Sequence, residues 1–221
     1  MNKLAGLGKS MWISIALMIV SVILYGSFRS GLTTFSELEM WGTITGLWSV
    51  WWAVLNHPYN WAIGLLNETL FFIMFWQYGL YANAWLQVFF AVISLYGWVY
   101  WLIGGKKRTE APITYAEVLR TSSLLPVVAL LTIVLVKVLE PTTGNYVPLD
   151  ALTTAISIVA TYLLAKRKVE NWLFWFVADL IYIPYLASQG LYLTSALYVV
   201  FAMLCAKGLY DWRTIEKGQV K

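Results

Sequence analysis

The sequence predicts an all-α integral membrane protein. We expect eight transmembrane helices: two parallel three-helix repeats joined by a linker helix, plus one extra N-terminal helix. Three observations predict this. Of 221 residues, 60% are hydrophobic and only 12% charged, against about 25% charged in soluble domains. The chain also repeats itself at an offset of 111 residues without a gap, so that Asn60-Trp61 lands on Asn171-Trp172, Glu68 on Asp179, Phe90-Ala91 on Phe201-Ala202, Gly97 on Gly208 and Trp101 on Trp212. Duplicated hydrophobic units of this kind build many secondary transporters, with the substrate site between the copies. Finally, the basic residues fall on one side of the predicted membrane.

Apolar runs long enough to cross the hydrocarbon core cover residues 11–28, 39–56, 60–78, 83–104, 122–139, 149–165, 171–188 and 191–210. The first follows Lys3 and Lys9 in the manner of a signal peptide, but no small-x-small cleavage site follows it. With eight crossings, one side receives Lys3, Lys9, Lys106, Lys107, Arg108, Arg120, Lys166, Arg167, Lys168, Lys207, Arg213, Lys217 and Lys221, and the other only Arg29 and Lys137. That 13-to-2 split places both termini in the cytoplasm by the positive-inside rule. The chain divides into an N-terminal helix (1–38), a first repeat (39–105), a cytoplasmic loop with the linker helix (106–148), a second repeat (149–212) and a tail (213–221). Three crossings reverse direction, so the linker helix is what restores it and makes the repeats parallel. Pro126 marks the start of that linker, and the first helix lies outside the repeat.

Composition excludes several function classes. A single Cys205 precludes an internal disulfide, and a single His57 precludes a multi-histidine metal site. No Gly-rich phosphate loop is present, no cofactor is expected, and no clustered nucleophile, base or metal ligand suggests an enzyme. The net charge of +4 is explained by topology rather than by a nucleic-acid partner.

Polar residues inside a span are expensive in lipid and mark substrate paths. Here they are Asn67, Glu68 and Gln77 in the third helix, Gln87 in the fourth and Asp179 in the seventh. Trp175, Asp179 and Tyr182 fall at i, i+4 and i+7 on one helical face, with Trp172 one turn earlier. Aromatic planes beside one carboxylate suit a flat cationic ring. Trp48, Trp52 and Asn56 on the second helix form a second candidate wall, and Tyr198 on the eighth completes the candidate set. The blander roles are also assigned: Trp41, Trp61, Trp101 and Trp212 as interfacial anchors, Gly79, Gly190, Gly97 and Gly208 in tight turns or close packing, Pro184 as a kink and His57 as a solvated loop residue. Lys106-Lys107-Arg108 and Lys166-Arg167-Lys168 serve as topology determinants and Cys205 as a small packing residue.

The pattern Asn171-Trp172-x-x-Trp175-x-x-x-Asp179, followed by Tyr182-x-Pro184, Gly190-Leu191-Tyr192 and Gly208-x-x-x-Trp212, resembles the PnuC vitamin transporters. The resemblance covers about 40–220 and implies an architecture similar to the SWEET transporters. It further implies facilitated diffusion of nicotinamide riboside across a bacterial inner membrane, made unidirectional by a cytoplasmic kinase that need not touch the transporter. The alternatives are thiamine or riboflavin as substrate, or proton- or sodium-coupled import. The lipid bilayer is the expected surround, and a homo-oligomer is compatible with the sequence.

Overall fold

In the computed structural model, which describes residues 2–32, 36–78, 81–116, 118–139, 147–188 and 192–219, the expected eight helices form. They are α1 (Asn2–Arg29), α2 (Glu37–Val54), α3 (Tyr59–Gln77), α4 (Tyr81–Ile103), α5 (Val118–Leu139), α6 (Val147–Ala165), α7 (Asn171–Ser188) and α8 (Tyr192–Gln219). Length and composition alone qualify α1 over Ser10–Arg29, α4 over Asn83–Ile103 and α6 as crossings. In α5 the apolar stretch Leu124–Val138 is shorter. The turns around Gly79-Leu80 and Gly190-Leu191 lie outside the described residues.

Local sequence explains the boundaries. Ser36 accepts from the Glu39 backbone N–H at 3.1 Å while Glu39 accepts from that of Ser36 at 3.4 Å, a capping box that starts α2. Asn56, at φ 55°, turns the chain between α2 and α3; Arg167, at φ 54° and 111 residues on, does the same between α6 and α7. Asparagine tolerates this left-handed conformation; arginine rarely adopts it, and the contacts described below hold it there.

Within each repeat the middle helix packs on both neighbours: α3 on α2 and α4, α7 on α6 and α8. Between the repeats, α4 meets α6 and α2 meets α8. The correspondence extends one helix beyond the three. Ile13, Leu17, Val20 and Leu24 of α1 pack into the core against α2. At the same offset of 111, Leu124, Val128, Leu131 and Leu135 of α5 pack against α6. The N-terminal helix thus occupies in the first unit the position that the linker helix occupies in the second.

The core is tryptophan laid into glycine slots. A Cβ on Gly97 of α4 would lie 2.5 Å from the Trp61 ring of α3, and one on Gly208 of α8 would lie 2.5 Å from that of Trp172 of α7. Trp101 and Trp212 close the same layer edge-on, with ring centroids 5.3 Å from Trp61 and 5.5 Å from Trp172 respectively. Trp61, Trp101 and Trp212 are 2%, 0% and 0% exposed. They are core residues rather than the interfacial anchors expected above, because each faces a glycine or another indole across the bundle. Trp41, at 41% exposure, retains an outward position. Gly97 and Gly208 serve close packing, as expected.

Gly208→Ala should force the Trp172 ring from its slot and cost about 1–3 kcal/mol by overpacking. A fall in the thermal unfolding midpoint of the purified protein in detergent is the expected result. Alanine at Gly26, whose Cβ meets nothing within 4 Å, should leave it unmoved.

Candidate functional site

The two intramembrane carboxylates occupy equivalent positions and are held by equivalent partners. Ser94 of α4 donates to Glu68 Oε1 at 2.6 Å, and Cys205 of α8, again 111 residues later, donates through sulfur to Asp179 Oδ2 at 3.5 Å. Glu68 Oε2 is buried without a partner among the described residues, and Asp179 is 6% exposed. Cys205 is therefore more than the small packing residue expected: its thiol faces the Asp179 carboxylate.

Around Asp179 the second repeat builds an aromatic and hydroxyl-bearing wall that the first does not. The Tyr182 hydroxyl and Thr153 Oγ1 are hydrogen-bonded at 2.8 Å. Tyr198 lies 5.0 Å from Tyr182 and 5.7 Å from Phe201 between ring centroids. The first-repeat counterparts at the same offset are Phe71 for Tyr182, Gly42 for Thr153 and Gln87 for Tyr198. There, the Phe71 ring simply covers Gly42. Trp175 is partly buried against the central core, and its counterpart is Gly64. The structure thus brings Asp179, Tyr182 and Tyr198 together on α7 and α8.

The remaining sequence candidates are placed elsewhere. Trp48 donates its indole N–H to Ser21 of α1 at 3.2 Å and, with Tyr25 and Trp41, lines an apolar groove of about 240 Å³ between α1 and α2. Trp52 packs on His57 and Tyr59 at centroid distances of 5.0 and 5.6 Å, so His57 is ring-packed rather than freely solvated. Asn67 ties α3 to α2 through the Gly42 carbonyl at 2.5 Å and Thr45 at 3.2 Å. Gln77 is exposed at the end of α3, and Gln87 is half-buried on α4. Trp172 belongs to the tryptophan core. Its Nε1 and that of Trp61, together with Oδ1 of Asn60 and Asn171, are buried without hydrogen-bond partners among the described residues.

Asn56 joins a structure that sequence reasoning did not anticipate, a seal across the repeats at the lysine- and arginine-rich end. Trp101 donates to the Leu164 carbonyl at 3.0 Å, and Trp212 donates to the Ala53 carbonyl at 3.2 Å. Both donors and both acceptors are related by the offset of 111, so each repeat grips the other with the same residue. Arg167, 1% exposed, donates to Asn56 Oδ1 through Nε at 3.1 Å and Nη2 at 2.8 Å. It also bonds the Ala111 carbonyl and Glu110, and its guanidinium lies 4.6 Å above the Trp101 ring. Arg167 was expected only to set topology. The signal that could have identified its role is that it stands opposite Asn56 in the repeat, at a left-handed turn where arginine is unusual.

The loop after α4 is fastened to the same end. Thr114 pairs with the α6–α7 turn through Arg167 O and Val169 N at 3.1 and 3.0 Å, and the Ala116 N–H donates to Glu170 at 2.8 Å. Beside it, Lys166 lies 4.8 and 4.7 Å from the Tyr96 and Tyr100 ring centres. Its hydrogen bond to the Tyr96 hydroxyl holds its ammonium above the usual lysine range.

Comparison with known proteins identifies the family. Residues 36–214 match the model of the nicotinamide mononucleotide transporter family. The nicotinamide riboside transporter PnuC of Escherichia coli is 30% identical over an alignment 221 positions long that covers 88% of this chain and 92% of that protein; the same values hold for PnuC of Shigella flexneri. The riboflavin/roseoflavin transporter RibM of Streptomyces davaonensis is 26% identical over 179 residues, covering 79% of this chain and 83% of RibM. The crystal structure of the vitamin B3 transporter PnuC superposes with a TM-score of 0.72 at 20% identity, covering 92% of this chain and 91% of that one. The chain belongs to this family of multi-pass membrane transporters, and it is not an enzyme.

Asn56→Gly, which keeps the left-handed turn without strain, should leave two guanidinium donors of a buried Arg167 without their acceptor, costing about 1.5–3 kcal/mol. Glu110→Gln, at a carboxylate 63% exposed, should cost less than about 1 kcal/mol. Comparing thermal unfolding of the two variants checks the order.

Proposed function

We propose that the chain carries nicotinamide riboside, a nucleoside with a permanently cationic pyridinium ring, by facilitated diffusion across a bacterial inner membrane. The observation that carries this reading is the buried carboxylate of Asp179, one helical turn before Tyr182, whose ring packs on that of Tyr198 of α8 at 5.0 Å. An aromatic face contributes about 0.5–2 kcal/mol to a cation, depending on desolvation, and the carboxylate offsets its charge. Trp175 and Glu68 complete the intramembrane lining. Gln87 lies seven residues from Ser94, on the same face of α4, and offers its amide to ribose hydroxyls, as Gln77 does from the outer end of α3. Trp172 stands behind Trp175 in the core.

The family is described by the mononucleotide and its Escherichia coli member by the riboside. Charge favours the riboside. A phosphate would meet Glu68 and Asp179, and the buried cation Arg167 is already bonded to Asn56, Glu110 and Ala111. Rejection of the phosphorylated product is what a trapping kinase in the cytoplasm requires, and no contact with that kinase is needed.

The mechanism we infer is alternating access by rocking of one repeat against the other. By the positive-inside rule the basic end faces the cytoplasm, so the seal of Trp101, Trp212, Arg167 and Asn56 is a closed cytoplasmic gate. Release of substrate requires its opening. Riboflavin is the second reading, supported by the relative RibM; as a neutral flavin it has no use for Asp179.

In proteoliposomes, the purified protein should show saturable counterflow of nicotinamide riboside without ATP or an ion gradient. Collapse of uptake by an uncoupler would indicate ion coupling instead. Asp179→Asn should weaken binding of the cationic riboside about tenfold, the equivalent of about 1.4 kcal/mol. Its neutral reduced form should bind as before. Equal losses for both, or tighter binding of riboflavin than of either, would overturn the reading.

A further inference from the structure

We propose that Cys205 is a specificity-determining residue of this site: it sets a weak thiol donor against Asp179 where the first repeat sets a hydroxyl against Glu68, and so leaves Asp179 available to a cationic ring. The inference rests on the reading that the substrate is a cationic nucleoside.

The duplication provides the comparison. Ser94 and Cys205 occupy the same position in the two repeats, as do Glu68 and Asp179. The backbone therefore offers the same pair of positions twice, filled by a hydroxyl and a glutamate in the first repeat and by a thiol and the shorter aspartate in the second. The Ser94 bond, at 2.6 Å, lies in the range of charge-assisted O–H···O⁻ bonds, about 2.5–2.7 Å and roughly twice as strong as neutral ones. A carboxylate held this way has one oxygen fully engaged, and the other oxygen of Glu68 is enclosed without a partner. The thiol of Cys205 reaches Asp179 at 3.5 Å, and a thiol is a weak donor. Asp179 thus keeps most of its capacity to accept from, or pair with, a positive group.

The side chains around it agree. Tyr198 stands two turns before Cys205 on the same face of α8, and its ring lies 5.0 Å from that of Tyr182. The first repeat offers Gln87 and Phe71 at those places. Phe71 stacks instead on Phe75 of its own helix, at 5.9 Å, so the hydroxyl-bearing ring pair that spans two helices occurs on the same repeat as the weakly held carboxylate. The polar amide and the firmly held carboxylate occur on the other, which assigns the pyridinium end of the substrate to the second repeat and its ribose to the first.

The test is binding of nicotinamide riboside and of its uncharged reduced form, followed by tryptophan fluorescence on the full-length protein in detergent. Cys205→Ser should place a hydroxyl on Asp179 and raise the Kd of the cationic form about three- to tenfold, in keeping with a hydrogen bond to a charged group, with the reduced form unaffected. Cys205→Ala removes the donor and should bind the cationic form more tightly than Cys205→Ser. A packing role would reverse that order, because alanine leaves the larger void. Wild-type affinity in Cys205→Ser, or weaker binding in Cys205→Ala than in Cys205→Ser, would overturn the proposal. Should Cys205→Ser fail to fold, Cys205→Thr carries the same hydroxyl at close to the volume of the thiol: it should likewise raise the Kd of the cationic form, and wild-type affinity in it overturns the proposal. If the wild-type protein binds neither form, the riboside reading itself fails; if it binds the cation and only the Cys205 series shows no effect, the failure belongs to Cys205 alone.

Discussion

The reciprocal grip of two tryptophans is the constraint on which the rest of the structure depends. Trp101 and Trp212 each reach across to a backbone carbonyl of the opposite repeat, at Leu164 and Ala53. An indole offers one N–H donor and a large apolar body, so a single residue type supplies both the bond and the packing. Those rings sit where they do because Trp61 and Trp172 back them edge-on, and these in turn fit only because α4 and α8 carry glycine at 97 and 208. In a bilayer, helices gain little by hiding apolar surface from lipid tails, and association rests on close packing and interhelical hydrogen bonds. Glycine, indole and carbonyl together satisfy both requirements, twice.

Duplication then separates scaffold from chemistry. Positions that keep the fold are retained at the offset of 111: Asn60 and Asn171, Trp61 and Trp172, Gly97 and Gly208, Trp101 and Trp212. Among the positions that differ, a subset changes in size or polarity: Gly42 against Thr153, Gly64 against Trp175, Phe71 against Tyr182, Gln87 against Tyr198, Ser94 against Cys205, Asn56 against Arg167. A symmetric bundle can bind an asymmetric molecule only through such differences. On the riboside reading proposed above, those around the two carboxylates suit one half of the molecule to a cationic ring and leave the other polar.

How much of this was legible in the sequence follows from what each signal encodes. The eight helices and the register of the repeat were readable because hydropathy and an ungapped offset survive without knowledge of packing. Glu68 and Asp179 were readable because a carboxylate in an apolar span is costly whatever surrounds it. The face each helix presents was not readable. Trp48 and Trp52 share a side of α2, yet the indole of Trp48 turns to α1 and that of Trp52 to the loop of His57 and Tyr59. Periodicity fixes which residues share a stripe and is silent on which neighbour the stripe meets. Arg167 was hidden for another reason: within a run of three basic residues it reads as one more topological charge, and only the three-dimensional turn separates its buried guanidinium from the lysines on either side.

On the rocking mechanism proposed above, the seal has to open and cannot be held too firmly. The two indole bonds contribute about 0.5–1.5 kcal/mol each, the net value of a neutral hydrogen bond. Conformers that exchange during function differ by a few kcal/mol, so these bonds are of the right size to bias the closed end without locking it. The Arg167 network is divided in the same spirit. Its bonds to Glu110 and Ala111 lie in a loop already fastened to the α6–α7 turn through Thr114, Val169, Ala116 and Glu170. Only Asn56 and the Trp101 ring belong to helices of the first repeat or the turn between them. On that proposed mechanism, the guanidinium gives up the Asn56 amide and the Trp101 ring and keeps the carboxylate of Glu110, while the Ala111 N–H, bonded to the Trp101 carbonyl at 3.1 Å, is what ties the loop to α4. A buried cation left with no partner would oppose opening by several kcal/mol; one that travels with its counter-charge does not. The placement of Glu110 on the loop, rather than on α2 or α3, is what would let a buried arginine take part in the proposed gate.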